Sequence, residues 1–283
     1  FLMVQIKIKS YAKINLALNI IGKKSSLHRI ETLVSFVSLH DEIFIKKIKS
    51  NNHKVSFGGK FSKNITKDNT ISKLIDVLEK KKFLKNKKFK IKINKKIPNQ
   101  AGLGGGSMNA ASILRYLIKK RIIQISKKEI LEICKLIGSD VILGLKTKNS
   151  IITKKNEIKY FDNCKKFYTL IVKPNFGCST EHIYSKVKKF NKPKIKKPAK
   201  NMFDLNYLKK MNNSLEHIVL SKYPKMRSIK SYLESFSKPV FVRMTGSGSA
   251  LVAYFRSKER CLNAKKMFNK KYKNYWCIAS KTI

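Results

Sequence analysis

Residues 97–111 read IPNQAGLGGGSMNAA, and four of the five positions from Gly102 to Gly106 are glycine. Each glycine loses more backbone freedom on folding than any other residue, so a run of glycines is unfavourable inside a helix or strand. Such a run is typical of a backbone that needs a positive φ angle or that approaches a ligand closely. We therefore predict that these residues form a loop with a specific structural purpose.

A strand before this loop and a helix after it complete the pattern. Phe89, Ile91 and Ile93 alternate with lysines, which is typical of a half-buried strand. Ser107 stands where a helix N-cap is expected. The apolar residues that then recur at helical spacing are Ala110, Ile113, Leu114, Leu117 and Ile118. A helix start presents unpaired N–H groups and a partial positive charge, so this arrangement predicts an anion site. A glycine-rich turn without a ligand is the alternative.

Two common phosphate-binding motifs do not match the loop. A P-loop requires a lysine directly after its last glycine, and Gly106 is followed by serine. The dinucleotide motif requires glycine or alanine at its sixth position. Counted from Gly102 that position is Ser107, and counted from Gly246 it is Leu251.

The order Pro-x-x-x-Gly-Leu-Gly-Gly-Gly-Ser-x-Asn-Ala-Ala at residues 98–111 resembles the ATP loop of the galactokinase, homoserine kinase, mevalonate kinase and phosphomevalonate kinase (GHMP) superfamily. In detail it is most similar to the 4-diphosphocytidyl-2-C-methyl-D-erythritol kinase family of the non-mevalonate isoprenoid pathway. Residues 11–16, YAKINL, resemble that family's first motif, with tyrosine in place of proline. The resemblance covers motifs from Tyr11 to Phe255.

The resemblance implies a two-domain α+β fold of the GHMP kinase type. An N-terminal β-α domain would carry the glycine-rich phosphate loop, and a ferredoxin-like α+β domain would follow it. Because the sequence becomes polar around residues 150–160, we predict the boundary there, with domains at 1–155 and 156–283.

The family's nucleotide site implies ATP and Mg²⁺ as cofactors. The Ser107 hydroxyl would reach the metal, Asn69 would lie near the adenine and Lys95 near the phosphates. The residues expected to bind the nucleotide are Asn69, Lys95, Pro98, Asn99, Gln100, Ala101, Gly102, Leu103, Gly104, Gly105, Gly106, Ser107 and Met108.

Two residues are expected to carry the chemistry. Asp140 lies between the end of a predicted helix and the apolar run from Val141 to Leu143, where capping the next helix is its alternative role. The sequence Gly138-Ser139-Asp140-Val141 resembles the family's Gly-Ala-Asp-Val, which implies that Asp140 is the catalytic base. Lys13 lies on a predicted strand from Ile6 to Ile20 with period-two alternation, and its alternative role is a solvated sheet face. The match of its motif implies a catalytic lysine instead.

The resemblance also implies a pocket for cytidine diphosphate linked to a polyol. His28 and Tyr184 would contact the cytosine, although an ordinary loop histidine and a core aromatic are the alternatives. The family's tyrosine is replaced by Leu27, and its Asp-Gly by Ser25-Ser26. Thr245-Gly-Ser-Gly-Ser249 resembles a second glycine loop of the family, for which a plain hairpin is the alternative. The substrate-binding residues expected are Asn15, His28, Thr180, Tyr184, Gly246, Ser247 and Gly248.

Composition limits the remaining classes. The formal net charge is +48, which invites a nucleic-acid interpretation, but only seven of the 64 basic residues are arginine. Because lysine, isoleucine and asparagine are abundant throughout, we attribute the charge to an A+T-rich coding sequence and expect no specific nucleic-acid partner. A non-catalytic basic nucleic-acid-binding protein and another alcohol kinase of the superfamily (homoserine, mevalonate) remain the alternatives.

Five cysteines without a Cys-x-x-Cys pair argue against a metal cluster or a disulfide framework and favour a reducing cytoplasm. No apolar run is long enough to span a membrane, and residues 1–7 lack the apolar region of a signal peptide. We therefore expect a cytoplasmic monomer or homodimer. The segment 186–200 is rich in lysine and proline, which predicts a mobile loop.

Overall fold

The computed structural model describes residues 4–25 and 27–283. Residues 1–3, which are part of the segment 1–7 expected not to form a signal peptide, lie outside the described residues. So does Ser26, one of the two serines that replace the family's Asp-Gly. The strands are β1 (Ile6–Lys24), β2 (Leu27–Ile48), β3 (Lys54–Gly58), β4 (Lys88–Asn94), β5 (Asn149–Ile152), β6 (Ile158–Phe161), β7 (Tyr168–Lys173), β8 (Phe241–Met244), β9 (Leu251–Phe255) and β10 (Trp276–Lys281).

The helices are α1 (Thr70–Lys80), α2 (Gly105–Lys119), α3 (Lys127–Ile137), α4 (Val141–Gly144), α5 (Thr180–Ser185), α6 (Leu205–Lys210), α7 (Glu216–Lys222), α8 (Pro224–Phe236) and α9 (Lys258–Lys271), with a 3-10 helix at Lys200–Phe203. Within residues 4–25 and 27–283, none of these has the length and apolar content that crossing a bilayer requires.

The chain forms two compact units, each assembled from separated segments. The first contains the described residues up to Ala12, with Leu39–Pro98 and Gly104–Thr147; the second contains Lys13–Ser38, Asn99–Leu103 and Lys148–Ile283. Strands β1 and β2 have 19 and 22 residues, and each contributes residues to both units. The domain boundary predicted after residue 155 was based on the polar sequence around residues 150–160, and it stays a prediction.

The first unit packs helices on a sheet of order β3-β4-β2, in which β4 pairs antiparallel with β2 and parallel with β3. The alternation predicted for β4 is confirmed, because Phe89, Ile91 and Ile93 are buried while the lysines between them are exposed. These side chains share a core with residues of α1 and α2, such as Leu74 and Leu114. This packing holds the start of α2 beyond the end of β4.

The second unit contains an antiparallel sheet of order β10-β7-β9-β8 and the pairings of β2 with β5 and of β5 with β6. Leu170 and Val172 of β7 pack in one core with Leu251 of β9 and with Phe268 of α9. The long strand predicted from Ile6 to Ile20 is confirmed as β1. Mixed helices and strands in two sheets agree with the predicted α+β class.

Candidate active site

The glycine loop in the first unit runs directly into α2, but the helix begins earlier than predicted. Its N-cap is Gly104, at φ +68°, and Ser107 lies within the first helical turn. The prediction that Ser107 is the N-cap is therefore wrong. Gly104 can adopt the left-handed conformation that side chains disfavour.

The amide groups at this helix start are available to an anion. The first N–H groups of any α-helix have no partner within the helix. No side chain of the described residues caps α2, in contrast to α3, whose N-cap Ser126 accepts a hydrogen bond from Glu129 N. Since the helix has 15 residues, its dipole adds a partial positive charge at this point. The geometry is that of the predicted anion site.

Close packing explains why side chains are absent beside these amides. A Cβ atom on Gly105 would lie 3.1 Å from Ile97 Cγ2, and one on Gly106 would lie 3.0 Å from Thr70 Oγ1. Both distances are tighter than ordinary van der Waals contacts. A cradle that a Cβ would fill fits the close backbone approach that a phosphate group requires.

Lys95 lies beneath the loop, in a role that the sequence did not reveal. Its ammonium group forms an ion pair with Asp41, and both side chains are buried. Asp41 Oδ1 also accepts hydrogen bonds from Lys96 N (2.7 Å) and Ile97 N (2.8 Å), and Oδ2 accepts one from Asn109 Nδ2 (3.0 Å). Asp41 therefore ties the end of β4 to α2. Contact between Lys95 and a nucleotide stays a prediction.

The turn that carries Asp140 lies beside the start of α2 within the same unit. A Cβ atom on Gly138, two residues before Asp140, would lie 3.7 Å from Ser107 Oγ. Asp140 is half-buried and occupies the N-cap position of α4, but its side chain makes no capping hydrogen bond. The capping role considered for Asp140 is therefore not what holds its carboxylate. Gly138 follows α3 with an extended φ of 163° rather than the left-handed conformation expected of a helix-terminating glycine.

Asn69 has a structural role that occupies its whole side chain. Its Oδ1 caps α1 by accepting hydrogen bonds from Ile71 N (2.9 Å) and Ser72 N (3.2 Å). Its Nδ2 donates to the carbonyl oxygens of Thr66 (2.8 Å) and Lys67 (3.2 Å). Proximity of Asn69 to adenine stays a prediction.

In the second unit, residues 99–103 lie against the second glycine loop. The carbonyl oxygens of Gln100, Ala101 and Gly102 accept hydrogen bonds from Ser249 N (3.2 Å), Ala250 N (3.2 Å) and Thr245 Oγ1 (3.1 Å), in that order. The backbone carbonyl oxygens of residues 100–102 therefore accept hydrogen bonds from within the protein. The side chains of Ala101 and Leu103, and of Met108 in the first unit, are buried, so only their backbones are available for the predicted nucleotide contacts.

Lys13 begins a buried network in the second unit. Lys13 Nζ donates a 2.6 Å hydrogen bond to Asn15 Oδ1, and Asn15 Nδ2 donates a 2.9 Å hydrogen bond to Thr32 Oγ1. Asn15 N donates to Thr245 Oγ1 (3.0 Å), which in turn donates to the Gly102 carbonyl. A solvated sheet face for Lys13 is excluded, because 4% of the residue is exposed. The network links Lys13 to both glycine loops within this unit.

Sequence reasoning missed two members of this network and the buried acid below the first loop. Thr245 opens the second glycine loop and Thr32 follows the segment of His28, but neither spacing nor composition distinguishes their hydroxyl groups from those of other threonines. Asp41 had one detectable signal, which is a carboxylate at the start of a buried strand pattern in a chain with 16 acidic residues.

His28 and Tyr184, the two residues predicted to contact the cytosine, lie next to each other, and their contact with a base stays a prediction. The ring centroids of His28 and Tyr184 lie 5.1 Å apart. Partial burial and, to a smaller extent, the positive charge of Lys23 hold the pKa of His28 below its ordinary value, because both disfavour the imidazolium. Leu27, at the position of the family tyrosine, is 73% exposed.

The remaining predicted substrate residues form a packed turn. Gly246, Ser247 and Gly248 are buried, and Ser247 Oγ lies 2.9 Å from Thr180 Oγ1 of α5. Gly246 and Gly248 both have positive φ angles, which explains two of the glycines in the motif. The turn does connect β8 and β9 as a hairpin, but it also contacts residues 99–103.

The comparisons agree with this arrangement. A family model described as the GHMP kinases N terminal domain matches residues 69–147, which include the first glycine loop and Asp140. A 4-diphosphocytidyl-2-C-methyl-D-erythritol kinase from Pelagibacter ubique is 54% identical over 281 residues, covering 99% of this chain and 100% of the relative. A kinase of the same name from Petrotoga mobilis is 33% identical, covering 86% and 96%.

A solved structure extends the likeness to the whole fold. The crystal structure of a 4-(cytidine 5'-diphospho)-2C-methyl-D-erythritol kinase matches with a TM-score of 0.78 at 20% identity, covering 98% of this chain and 100% of that one. The fold is the two-domain α+β architecture of GHMP kinases, as predicted. With 54% identity over nearly its full length, the chain belongs to the 4-diphosphocytidyl-2-C-methyl-D-erythritol kinase family. The predicted class of enzyme, a phosphotransferase, is confirmed by the same relatives.

Proposed function

We propose that this protein transfers the γ-phosphoryl group of ATP to the 2-hydroxyl of 4-diphosphocytidyl-2-C-methyl-D-erythritol, in the non-mevalonate isoprenoid pathway. The observation that carries the proposal is the uncapped start of α2, which presents amides beside the turn of Asp140. The names of the relatives from Pelagibacter ubique and Petrotoga mobilis supply the substrate. We expect the enzyme to act in the cytoplasm as a monomer or homodimer.

The nucleotide would bind along residues 98–108. Backbone N–H groups from Gly104 to Ser107 would donate to the β- and γ-phosphate oxygens, supported by the helix dipole. The Ser107 hydroxyl, together with phosphate oxygens, would hold Mg²⁺. Bound there, Mg²⁺ would supply positive charge that offsets the negative charge of the phosphates. The hydroxyl is the hard oxygen ligand that this ion prefers.

Asp140 would accept the proton of the substrate hydroxyl. Its half-buried position in the turn beside the start of α2 supports this assignment. A positioned base of this kind contributes typically ~10²–10⁴-fold to a rate. Lys13, oriented by Asn15, would stabilise the negative charge that develops on the hydroxyl oxygen and the transferred group.

The cytidine end would lie at His28 and Tyr184, whose rings are adjacent. Neutral His28 offers one hydrogen-bond donor and one acceptor to the base. Asn15, Thr180 and the turn at residues 246–248 would contact the rest of the substrate. The hydroxyl pair of Thr180 and Ser247 supports such a polar surface.

A coupled assay of ADP formation tests the proposal. Purified protein with Mg²⁺ and ATP is given cytidine-linked methylerythritol, mevalonate or homoserine in parallel. We expect turnover with the cytidine-linked substrate alone. Turnover with mevalonate or homoserine but not with the cytidine-linked alcohol would instead identify another kinase of the superfamily.

A further inference from the structure

A lysine-rich segment predicted to be mobile is held against the second unit's strands. Asn191 N donates to the carbonyl oxygen of Ile20 (2.8 Å), and Asn191 Nδ2 donates to Ser214 Oγ (2.9 Å). Ile195 is buried. The prediction of mobility is therefore wrong for the middle of segment 186–200. We refer to residues 190–195 as the strap.

Two buried side chains fix the strap to β1 and β2. Glu31 Oε2 accepts hydrogen bonds from Lys194 N (2.8 Å) and Ile195 N (3.4 Å), and 1% of Glu31 is exposed. Asn19 Nδ2 donates to the Lys192 carbonyl (3.1 Å) and to Glu31 Oε2 (3.3 Å). A buried carboxylate that accepts backbone N–H groups is a strong anchor, because these hydrogen bonds involve a charged acceptor. These hydrogen bonds consequently position Phe190, the first residue of the strap.

That first residue is Phe190, and it lies at the aromatic pair of the candidate base pocket. Its ring centroid is 6.3 Å from that of His28, whose other aromatic neighbour is Tyr184. Phe190 is 48% exposed although it is a large apolar side chain. Buried hydrogen bonds thus hold the strap in place, and its first residue, Phe190, lies beside His28 with its side chain partly exposed to solvent.

We infer that Phe190 supplies an aromatic face for the substrate's pyrimidine, at the pocket where Leu27 has no aromatic ring. This inference rests on the proposed function, since it assumes that His28 and Tyr184 receive the base. An aromatic ring presents a π-face on which a base stacks, and leucine offers apolar cover without that face. Phe190 is a specificity-determining residue, and Glu31 is a positioning residue that acts through the strap.

Binding of cytidine 5'-diphosphate (CDP) and steady-state kinetics with the cytidine-linked substrate test the inference. Phe190→Ala should weaken CDP binding and raise KM for the cytidine-linked substrate about tenfold, the size typical of one lost base–aromatic stack. The KM for ATP and kcat at saturating substrate should not change. Phe190→Leu, which keeps apolar cover and leaves the strap's anchors intact, should lose most of the same affinity.

Matched variants separate stacking from general loss of structure. Phe236→Ala removes another exposed phenylalanine of the second unit, one that packs against Tyr232, and should leave CDP binding unchanged. Leu27→Tyr in the Phe190→Ala background should restore affinity by returning a π-face to the pocket. Glu31→Ala should raise the same KM without lowering kcat, and combining it with Phe190→Ala should add little, because both act through one ring.

Two results would overturn the inference, and they are distinguishable. If the unmodified protein neither binds CDP nor phosphorylates the cytidine-linked substrate, the proposed function fails and the inference fails with it. If the unmodified protein does both and Phe190→Ala and Phe190→Leu bind CDP equally well, the proposed function stands and Phe190 has no part in base recognition.

Discussion

Thr245 Oγ1 donates a 3.1 Å hydrogen bond to the carbonyl oxygen of Gly102, so a side chain of the second glycine motif contacts the backbone of the first. Gly102 has a φ of +72°, and a Cβ atom there would overlap the Thr245 carbonyl group. The glycine is therefore required both by conformation and by space.

Replacing Gly102 should consequently disrupt this contact. Gly102→Ala is expected to lower the free energy of unfolding by at least ~2 kcal/mol, from backbone strain together with steric overlap. Urea denaturation measures the change. Gly58→Ala is the control, because a Cβ there meets nothing within 4 Å. Equal stability of the two variants would show that the contact is not required.

The buried ion pair of Asp41 and Lys95 should be a major source of stability beneath the first glycine loop. Asp41→Asn leaves a buried ammonium group without its counter-charge and is expected to cost about 3 kcal/mol. Asp162→Asn, which removes the exposed partner of Lys148, should cost less than ~1 kcal/mol. Denaturation midpoints of both variants check the difference, and similar midpoints would contradict it.

The protonation of His28 should occur below its ordinary pH range. Burial is the larger cause of its lowered pKa and the charge of Lys23 the smaller one, so the imidazole is neutral at pH 7. Lys23→Gln should raise the pKa of His28 but leave it below 6.5, since burial remains. A titration of His28 followed by NMR gives these values. A pKa above 6.5 in the unmodified protein would be inconsistent with the described environment.

The hydroxyl of Thr32 should position Asn15 and, through it, Lys13. Thr32→Val removes the acceptor of the Asn15 side-chain amide and the hydroxyl that donates to the Ala17 carbonyl oxygen. Losing the hydrogen bond that orients Asn15 is expected to lower kcat roughly tenfold. Thr32→Ser keeps the hydroxyl and should recover most of the rate. If valine and serine variants turn over equally, Thr32 does not position Lys13 for the proposed role.

Local patterns predicted the elements around the first glycine loop, and long-range contacts explain what they missed. Alternation at Phe89, Ile91 and Ile93 was sufficient for β4, because a half-buried strand imposes it directly. The start of α2 was misplaced because glycine is intrinsically poor in helices. Packing of Gly105 against Ile97 and of Gly106 against Thr70 overrides that preference.

The strap is a second case in which long-range contacts determine what local sequence patterns do not predict. Lysine and proline between residues 186 and 200 predict a mobile loop from composition alone. What holds the segment is Glu31, which is 163 residues from Lys194 in the chain. Nothing in a single sequence pairs these two residues, and the same is true of Asp41 and Lys95.

The most direct test of the account is the rate of ADP formation by Asp140→Asn with Mg²⁺, ATP and the cytidine-linked methylerythritol. The account predicts a loss of about 10²–10⁴ in kcat with unchanged denaturation behaviour, while Asp162→Asn retains the rate of the unmodified protein. An Asp140→Asn variant that turns over as fast as the unmodified enzyme would contradict it.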